Sequence, residues 1–339
     1  MNSQVSQAGL WEQLLADRSC PPGFACLRPT TAGACDMFLA VHKPDNRLAV
    51  LLEVPAPLVA DIAEYPSSRG FFVEVQPIEH GRQGRVRLVL SPTSPLYNDL
   101  FRVLVDDIVG RLSAVLTEHR SVQLFLDRLH HWQAFFQRNS VAGLSQRSQQ
   151  GLYGELLTLK LMLAPHIGIS GAIASWTGPF GTNQDFELGD SAVETKTSSS
   201  NTQQKIHISN ARQLETVGVD SLFISFWSLD IRRGTRYTLP KLVDDVRAMA
   251  IGDSAANDMF TDKLLASGYL DIHKEKYSRS SYRVRAHSMF RVVEAFPRID
   301  TRSLCSGVGD VRYTIELTAC EPFRVVEGDF LSVLGRVNG

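Results

Sequence analysis

The fold of this chain is decided by residues 183–198, which read Asn-Gln-Asp-Phe-Glu-Leu-Gly-Asp-Ser-Ala-Val-Glu-Thr-Lys-Thr-Ser. Gly189 and Asp190 separate two short extended runs, a pattern that predicts a tight hairpin. Side chains alternate between the two faces of a strand, so Glu194 and Lys196 share one face of the second arm. Asp185, near the end of the first arm, is expected to lie across from Glu194. The stretch therefore predicts two carboxylates and one ammonium on a wet edge of a sheet whose other face is apolar.

This arrangement is typical of a site for a hard cation. Two carboxylate oxygens together with waters suit Mg²⁺, which keeps part of its hydration shell. A bound cation neutralises a phosphodiester and lowers the pKa of a bound water, and a lysine can orient or activate that water. The alternative is an ordinary ion pair between Glu194 and Lys196 on an exposed strand. Glu-x-Lys alone favours that alternative, so the choice between an ion pair and a cation site depends on the residues around it.

Composition bounds the class of protein. The chain has 339 residues, enough for two domains, and its 44% hydrophobic and 21% charged residues are ordinary for a folded soluble protein. No apolar run approaches the roughly 20 residues that span a bilayer, and the N-terminus has no export signal. The five cysteines show no CxxC pairing, which favours reduced thiols over a zinc site. We therefore expect a cytoplasmic protein without membrane contact.

Charge is unevenly distributed along the chain. The net charge of −1 gives no overall attraction to nucleic acid. Residues 272–302, however, carry more basic than acidic side chains: Lys274, Lys276, Arg279, Arg283, Arg285, Arg291, Arg298 and Arg302 against Glu275, Glu294 and Asp300. Such a stripe can attract phosphate even where the whole molecule does not.

Hydrophobic periodicity divides the chain into four parts. Residues 1–95 are predicted to form an N-terminal antiparallel β-sheet domain, with a loop over 20–33 and strands at 37–42, 48–54, 71–75 and 86–90. Residues 96–145 read as a helical connector with helices at 96–116 and 122–136. Residues 146–238 read as the core, and residues 239–339 as a C-terminal helix and β extension that is a candidate DNA-contact region.

The core is predicted from the order of its elements. A helix over 148–163 carries Glu155 at the margin of its leucine stripe, where a carboxylate either finds a partner, lines a cavity or extends to solvent. After the hairpin come a short apolar run at 206–208, a helix capped by Ser209 that contains Gln213, and a strand at 221–229 that is apolar enough to be buried on both faces. This order predicts an α/β (α+β) fold with a mixed central sheet flanked by helices.

The C-terminal part is predicted to begin with helices at 239–251 and 255–267. Segments at 269–276, 282–286, 289–294 and 311–317 then read as antiparallel strands. A helix that ends in Gly268-Tyr269 and precedes a basic hairpin weakly resembles a winged helix. The alternative is a sheet addition that completes the core.

These residues resemble the motifs of the PD-(D/E)XK, or restriction-endonuclease-like, superfamily. The match consists of Glu155 in the leading helix, Asp185, Glu194-Thr195-Lys196 on the next strand, and Gln213. The surrounding residues are similar to a bacterial family of PD-(D/E)XK members encoded beside restriction-modification and phage-defence genes. Gln184 stands where the superfamily name expects proline. The superfamily resemblance covers about residues 148–230, and the closer one spans most of the chain.

The resemblance implies a Mg²⁺-dependent deoxyribonuclease, with Mn²⁺ able to substitute. Asp185, Glu194 and the backbone carbonyl of Thr195 would hold the metal, and Lys196 would position or activate the attacking water. Glu155 would orient a water or help to hold a second cation, and Gln213 would steady the site. Phosphate contacts are expected from the arginines near the site, Arg212, Arg232, Arg233 and Arg236.

The implied partners are DNA, a second copy of the chain, since many relatives cut both strands as homodimers, and other restriction-modification or defence proteins. Two further readings stay open at this point. One is a nuclease-like fold that serves as a non-catalytic DNA-binding or assembly subunit. The other is a structure-specific RNA nuclease, which would use the same site chemistry.

Overall fold

The computed structural model describes residues 7–17, 20–29, 33–78, 84–202, 204–300, 302, 304–326 and 328–330. The chain divides into two compact units, Met1–Val141 and Ala142–Gly339. The four-part division expected from the sequence stays a prediction.

The described residues of the first unit form one antiparallel sheet and three α-helices. Its elements are α1 (Gln7–Ala16), β1 (Gly23–Leu27), β2 (Asp36–Lys43), β3 (Arg47–Pro55), β4 (Phe71–Pro77), β5 (Arg85–Pro92), α2 (Asn98–Leu112) and α3 (Glu118–Arg138). The strand order is β1-β2-β3-β5-β4, and every pair is antiparallel. The four predicted strands and both helices are confirmed. The loop expected over 20–33 was wrong at β1, whose Pro- and Gly-containing surroundings hid a strand that pairs with β2. Residues 79–83, between the predicted strands at 71–75 and 86–90, lie outside the described part of the chain.

The second unit begins with a long interrupted helix and continues with alternating strands and helices. Its elements are α4 (Gln146–Leu157), a π-helical segment (Thr158–Leu163), α5 (Ala164–Ser175), β6 (Phe186–Leu188), β7 (Ser191–Ser198), β8 (Lys205–Ile208), β9 (Ser221–Arg233), α6 (Leu239–Met249), α7 (Ser254–Ala266), α8 (Lys274–Tyr277), β10 (Ser280–Val292), β11 (Tyr313–Glu316), α9 (Leu317–Cys320) and β12 (Arg324–Val325).

The central sheet of this unit is mixed, as the element order predicts. Its strand order is β12-β10-β9-β7-β6, in which β7 and β9 run parallel and the other pairs are antiparallel. Both faces of the sheet are covered, since Val193 and Phe223 belong to one buried cluster while Ala192 and Leu222 belong to another. Burial on both faces explains why β9 is an almost uninterrupted apolar run.

Three local predictions in the second unit were wrong. Residues 269–276 are not a strand: they contain a 3-10 turn and α8, which bury Tyr269 and Tyr277 against the core. The segments at 282–286 and 289–294 form one strand, β10, with a bulge between Val284 and Ala286. Asn210 rather than Ser209 caps the turn that carries Gln213, and this turn is a 3-10 helix, Ala211–Leu214. Short alternating patterns fit a strand or one helical turn equally well, so only packing separates them.

Among the described residues, one helical segment, Gln146–Ser175, has the length and composition to cross a bilayer. Half of its most apolar window, 50%, is buried inside the protein. The helix is also interrupted by the π-helical segment and by a left-handed Gly168, with φ of 73°. Core helices of soluble proteins pass the same length test, and this segment packs as one.

Candidate active site

The site forms beside the first residue of β6, where the pairing of β6 with β7 stops and β7 continues with β9 as its paired strand. Phe186 pairs with Val193, and the registered pairs of β6 and β7 stop there, whereas β7 continues to Ser198 beside β9. Among the described residues, no strand is hydrogen-bonded to this edge of β7 over its last five residues. Gly189, with φ of 59°, makes the tight turn that sets this register.

Asp185 occupies the position where β6 would have continued. Its Oδ2 accepts the backbone N–H of Thr195 at 2.7 Å, so a side chain replaces the missing strand partner. The backbone N–H groups of Thr177 and Gly178 donate to the carbonyl of Asp185 at 2.9 and 3.0 Å. A Cβ at Gly178 would lie 2.8 Å from Asp185 Oδ1, so only glycine allows this loop to pack so closely. Asp185 is therefore held through both its side chain and its backbone carbonyl.

Glu194, Lys196 and Gln213 form a connected group on one face of β7. Lys196 Nζ lies 2.6 Å from Glu194 Oε1 and donates to Gln213 Oε1 at 2.9 Å. Gln213 Oε1 also accepts the backbone N–H of Ser209 at 3.1 Å. The expected wet edge is wrong in one respect, because Glu194 is only 1% exposed. The second buried cluster covers that face of the sheet, which the alternation of a single strand could not reveal.

Glu155 reaches the site because α4 packs very closely on β7. A Cβ at Gly154 would lie 2.2 Å from Thr197 Cγ2, so a larger residue would force the helix away from the strand. The Glu155 carboxylate accepts the indole N–H of Trp176 at 2.8 Å. It therefore lines the cleft with a partner, one of the outcomes expected for a carboxylate at that helix margin.

The three carboxylates lie close enough to perturb one another. Burial raises the pKa of Glu194 to about 8. The negative charge of Asp185 contributes to this rise, whereas the Lys196 ammonium acts to lower the pKa. Burial, followed by the charge of Asp185, raises the pKa of Glu155 well above its ordinary value. Burial also raises the pKa of Asp185, opposed by Lys196. Negative charge is therefore crowded here beyond what one ammonium compensates.

The residues fit a divalent cation. Glu194 Oε2 is buried and has no hydrogen-bond partner in the described part of the chain, although a buried carboxylate oxygen normally has one. A cation beside this oxygen would satisfy it and relieve the repulsion from Asp185. Within the described part of the chain, no group of three or more His, Cys, Asp or Glu side chains could hold a metal by itself. Two carboxylates and a carbonyl with completing waters suit Mg²⁺, which takes few protein ligands.

The site opens into a cleft of about 910 Å³. All five predicted site residues, Glu155, Asp185, Glu194, Lys196 and Gln213, line this cleft together with Thr195. The arginines that line it are Arg147 and Arg312, and none of the four arginines expected from the sequence does so. Arg147 precedes Glu155 by two helical turns on α4, a spacing that could have identified it. Arg312 comes from a distant part of the chain, and no local pattern indicates it.

Two supporting residues escaped sequence reasoning. Gln184, at the position of the superfamily's proline, is buried, and its amide donates to the carbonyls of Arg212, Gln213 and Glu215 at 3.3 to 3.4 Å. It thereby ties the start of β6 to the turn that carries Gln213. Thr158, the first residue of the π-helical segment, accepts hydrogen bonds from the Thr195 hydroxyl at 3.1 Å and the Trp227 indole at 2.9 Å. Neither role follows from local sequence, because every partner lies elsewhere in the chain.

The mixed sheet and its Asp185, Glu194 and Lys196 constellation define the PD-(D/E)XK, restriction-endonuclease-like class of α+β fold. The chain belongs to the family described as "Putative PD-(D/E)XK family member, (DUF4420)", whose model matches residues 8–318. This match confirms the resemblance and the fold class, and it includes most of both compact units. No curated protein and no solved structure matches the chain significantly.

Proposed function

We propose that this protein is a deoxyribonuclease that uses Mg²⁺, or Mn²⁺ in its place, to hydrolyse DNA phosphodiester bonds. The observation that carries the proposal is the unpaired, buried Oε2 of Glu194 beside Asp185, in a cleft that also holds Lys196. Asp185, Glu194 and the carbonyl of Thr195 would hold the cation. When bound, the cation would polarise the phosphate and lower the pKa of a water.

The other site residues would position the substrate and water and stabilise the charge that develops during hydrolysis. Lys196 is held between Glu194 and Gln213, and its ammonium would stabilise the negative charge that develops on the phosphate oxygens. Glu155, fixed by Trp176, orients a water at the cleft wall or contributes to a second cation. Arg147 and Arg312 are exposed at the cleft and offer contacts to phosphate oxygens. Hydrolysis adds water across one P–O bond and leaves a phosphate end and a hydroxyl end.

Cleavage of plasmid, phage DNA and RNA by the purified chain tests this proposal. We expect DNA cleavage with Mg²⁺ or Mn²⁺, none with EDTA, and a loss of at least about 100-fold for Asp185→Ala or Lys196→Ala. Asp190→Ala is the matched control, since Asp190 is exposed in the turn of the same hairpin and lies outside the cleft. Equal cleavage by all variants would identify a contaminant and overturn the proposal.

Two other outcomes would select the rival functions. DNA retention that weakens with salt, ignores EDTA and gives no cleavage would identify a non-catalytic DNA-binding or assembly subunit. Cleavage of RNA alone would identify an RNA nuclease.

The proposal extends to a cytoplasmic role in restriction or phage defence, supported by the resemblance to proteins encoded beside such genes. It includes assembly as a homodimer that cuts both strands, and contact with other restriction-modification or defence proteins. Phage plating on cells that express wild type or Asp185→Ala tests the cellular role: equal plating efficiency would contradict it. Light scattering of the purified chain, alone and with DNA, tests the dimer.

A further inference from the structure

A second cleft lies next to the active site, on a neighbouring face of α4. Its volume is about 1070 Å³, and its walls are the start of α4, the end of β9, and the segment from α8 to the start of β10. Ser145, Gln146 and Gln149 of α4 line this second cleft, whereas Arg147, Gln150 and Gly151 line the catalytic cleft. These two sets follow helical spacing, so neighbouring faces of one helix serve the two clefts.

The lining of the second cleft is strongly basic. It contains Arg232, Arg233, Lys276 and Arg279 against a single carboxylate, Glu275. Arg232 pairs with Asp230, and Lys276 donates to the backbone carbonyl of Ala142. Within the described ranges, Arg233 and Arg279 form no ion pair, and both side chains belong to exposed residues. Two guanidinium groups are thus free to bind an anion.

This basic character is specific to the cleft rather than general to the C-terminal part. Three of the eight cations of the basic stripe at 272–302 are already paired with carboxylates outside the cleft. Lys274 pairs with Asp244 and Asp271, Arg285 pairs with Asp230, and Arg302 pairs with Asp300. Lys276 and Arg279 are the members of that stripe that turn into the second cleft. The amino end of α4, capped by Ser145, adds its partial positive charge there.

We propose that the second cleft binds the phosphodiester backbone of the same DNA a few nucleotides away from the phosphate in the active site. This inference rests on the proposed nuclease function. An α-helix with its side chains is about 10–12 Å wide, and a nucleic acid strand advances about 3.4 Å per nucleotide. A backbone that passes over α4 from one cleft to the other therefore spans roughly three nucleotides. The contacts are to phosphates, so they set position and affinity without reading sequence.

Binding measured in EDTA tests the inference without requiring cleavage. Fluorescence anisotropy of a labelled DNA duplex is compared for wild type and Arg233→Gln/Arg279→Gln across a range of salt concentrations. Each lost phosphate contact lowers the slope of log affinity against log salt by about 0.9, so we expect a slope shallower by about 1.8 and affinity at least about 10-fold weaker at low salt. Arg283→Gln/Arg291→Gln removes the same charge from exposed residues of β10 outside the cleft and is the matched control.

Two results would overturn the inference. One is that the cleft variant keeps the DNA affinity and salt slope of wild type, or loses no more DNA affinity than the control variant does. Absence of DNA binding by wild type would overturn the inference in the same way. The other is calorimetric binding of inorganic phosphate that the cleft variant loses while its DNA affinity stays unchanged, which would assign the cleft to a small free anion. Failure of the nuclease proposal is read separately, from the cleavage assay with Mg²⁺.

Discussion

Asp185 Oδ2 accepts the backbone N–H of Thr195 at 2.7 Å, so the residue just before β6 supplies to β7 the hydrogen bond that a longer β6 would have given. The carboxylate that would bind metal is therefore also a structural replacement for a strand. This double role concentrates charge at a buried edge, where Glu194 is only 1% exposed. Stability and proposed activity should consequently respond in opposite directions when that charge is removed.

Asp185→Asn should stabilise the metal-free protein and abolish cleavage. Asparagine keeps an oxygen for the Thr195 N–H but removes the repulsion with Glu194, so we expect the free energy of unfolding in EDTA to rise by about 0.5–2 kcal/mol. Added Mg²⁺ should raise the Tm of wild type and leave that of the variant unchanged. Thermal unfolding with EDTA and with Mg²⁺ measures both effects. If Asp185→Asn were less stable than wild type in EDTA, repulsion between Asp185 and Glu194 would not be destabilising the metal-free protein.

Metal affinity should rise with pH up to about 8. Burial raises the pKa of Glu194 from an ordinary 4.5 to about 8, and a ligand carboxylate must lose its proton before it binds metal. In the absence of metal, the folded protein holds this proton while the unfolded chain releases it at lower pH. The contribution to stability is therefore fully present below pH 4.5 and is lost as pH rises through about 8.

Calorimetry of Mg²⁺ binding at several pH values checks this dependence, together with proton release measured in buffers of different ionisation enthalpy. Glu194→Gln is the control. Because glutamine cannot titrate, this variant should bind Mg²⁺ more weakly than wild type at every pH. Affinity that is constant from pH 6 to pH 8 would show that the Glu194 proton is not linked to metal binding.

Gly154→Ala and Gly151→Ala form a matched pair on one helix. A methyl group at Gly154 would meet Thr197 Cγ2 at 2.2 Å, whereas one at Gly151 meets nothing within 4 Å. We expect Gly154→Ala to lose about 1–3 kcal/mol through overpacking and to reduce cleavage, because α4 carries Glu155 away from the site. Gly151→Ala should gain up to about 1 kcal/mol from helix propensity. Chemical denaturation of both variants measures the difference, and equal stabilities would contradict the close approach.

Gln184 should prove to be a positioning residue. Gln184→Ala removes a buried amide that donates to the carbonyls of Arg212, Gln213 and Glu215, and it should cost about 1–3 kcal/mol of stability. Gln184→Glu has the same shape but places a carboxylate against those carbonyls, so it should be the more damaging change. Because the turn carries Gln213, which holds Lys196, we expect kcat to fall while Mg²⁺ affinity stays near that of wild type. Steady-state kinetics and Mg²⁺ titration measure the two effects; a glutamate variant that behaves as wild type would exclude this role.

The candidate site was largely predictable because its central residues are close in sequence. Gly189 and Asp190 define the turn, and alternation along β7 places Glu194 and Lys196 on one face whatever the rest of the chain does. The element order around the hairpin likewise predicts the mixed sheet, and the family match confirms that fold class. The roles assigned to Glu155, Asp185, Glu194, Lys196 and Gln213 stay predictions until the variants are measured.

The errors share one physical origin, since they concern contacts between distant parts of the chain. The pattern of residues 269–276 predicts a strand, but the segment forms a 3-10 turn and α8, and the flanking Tyr269 and Tyr277 are buried in the core. Glu194 was placed on a wet edge because nothing near it in sequence shows that a second layer covers its face. The arginines of the catalytic cleft, Arg147 and Arg312, lie 165 positions apart.

By itself, the sequence determined the hairpin, the order of its polar residues and the class of fold, because these depend on turn chemistry and on the two-residue period of a strand. Only the tertiary structure decided how deeply the carboxylates are buried, which of their oxygens lacks a partner among the described residues, and that a basic cleft lies beside the catalytic cleft on a neighbouring face of α4. Burial and charge proximity depend on distances between side chains that long loops bring together, and no local pattern encodes those distances.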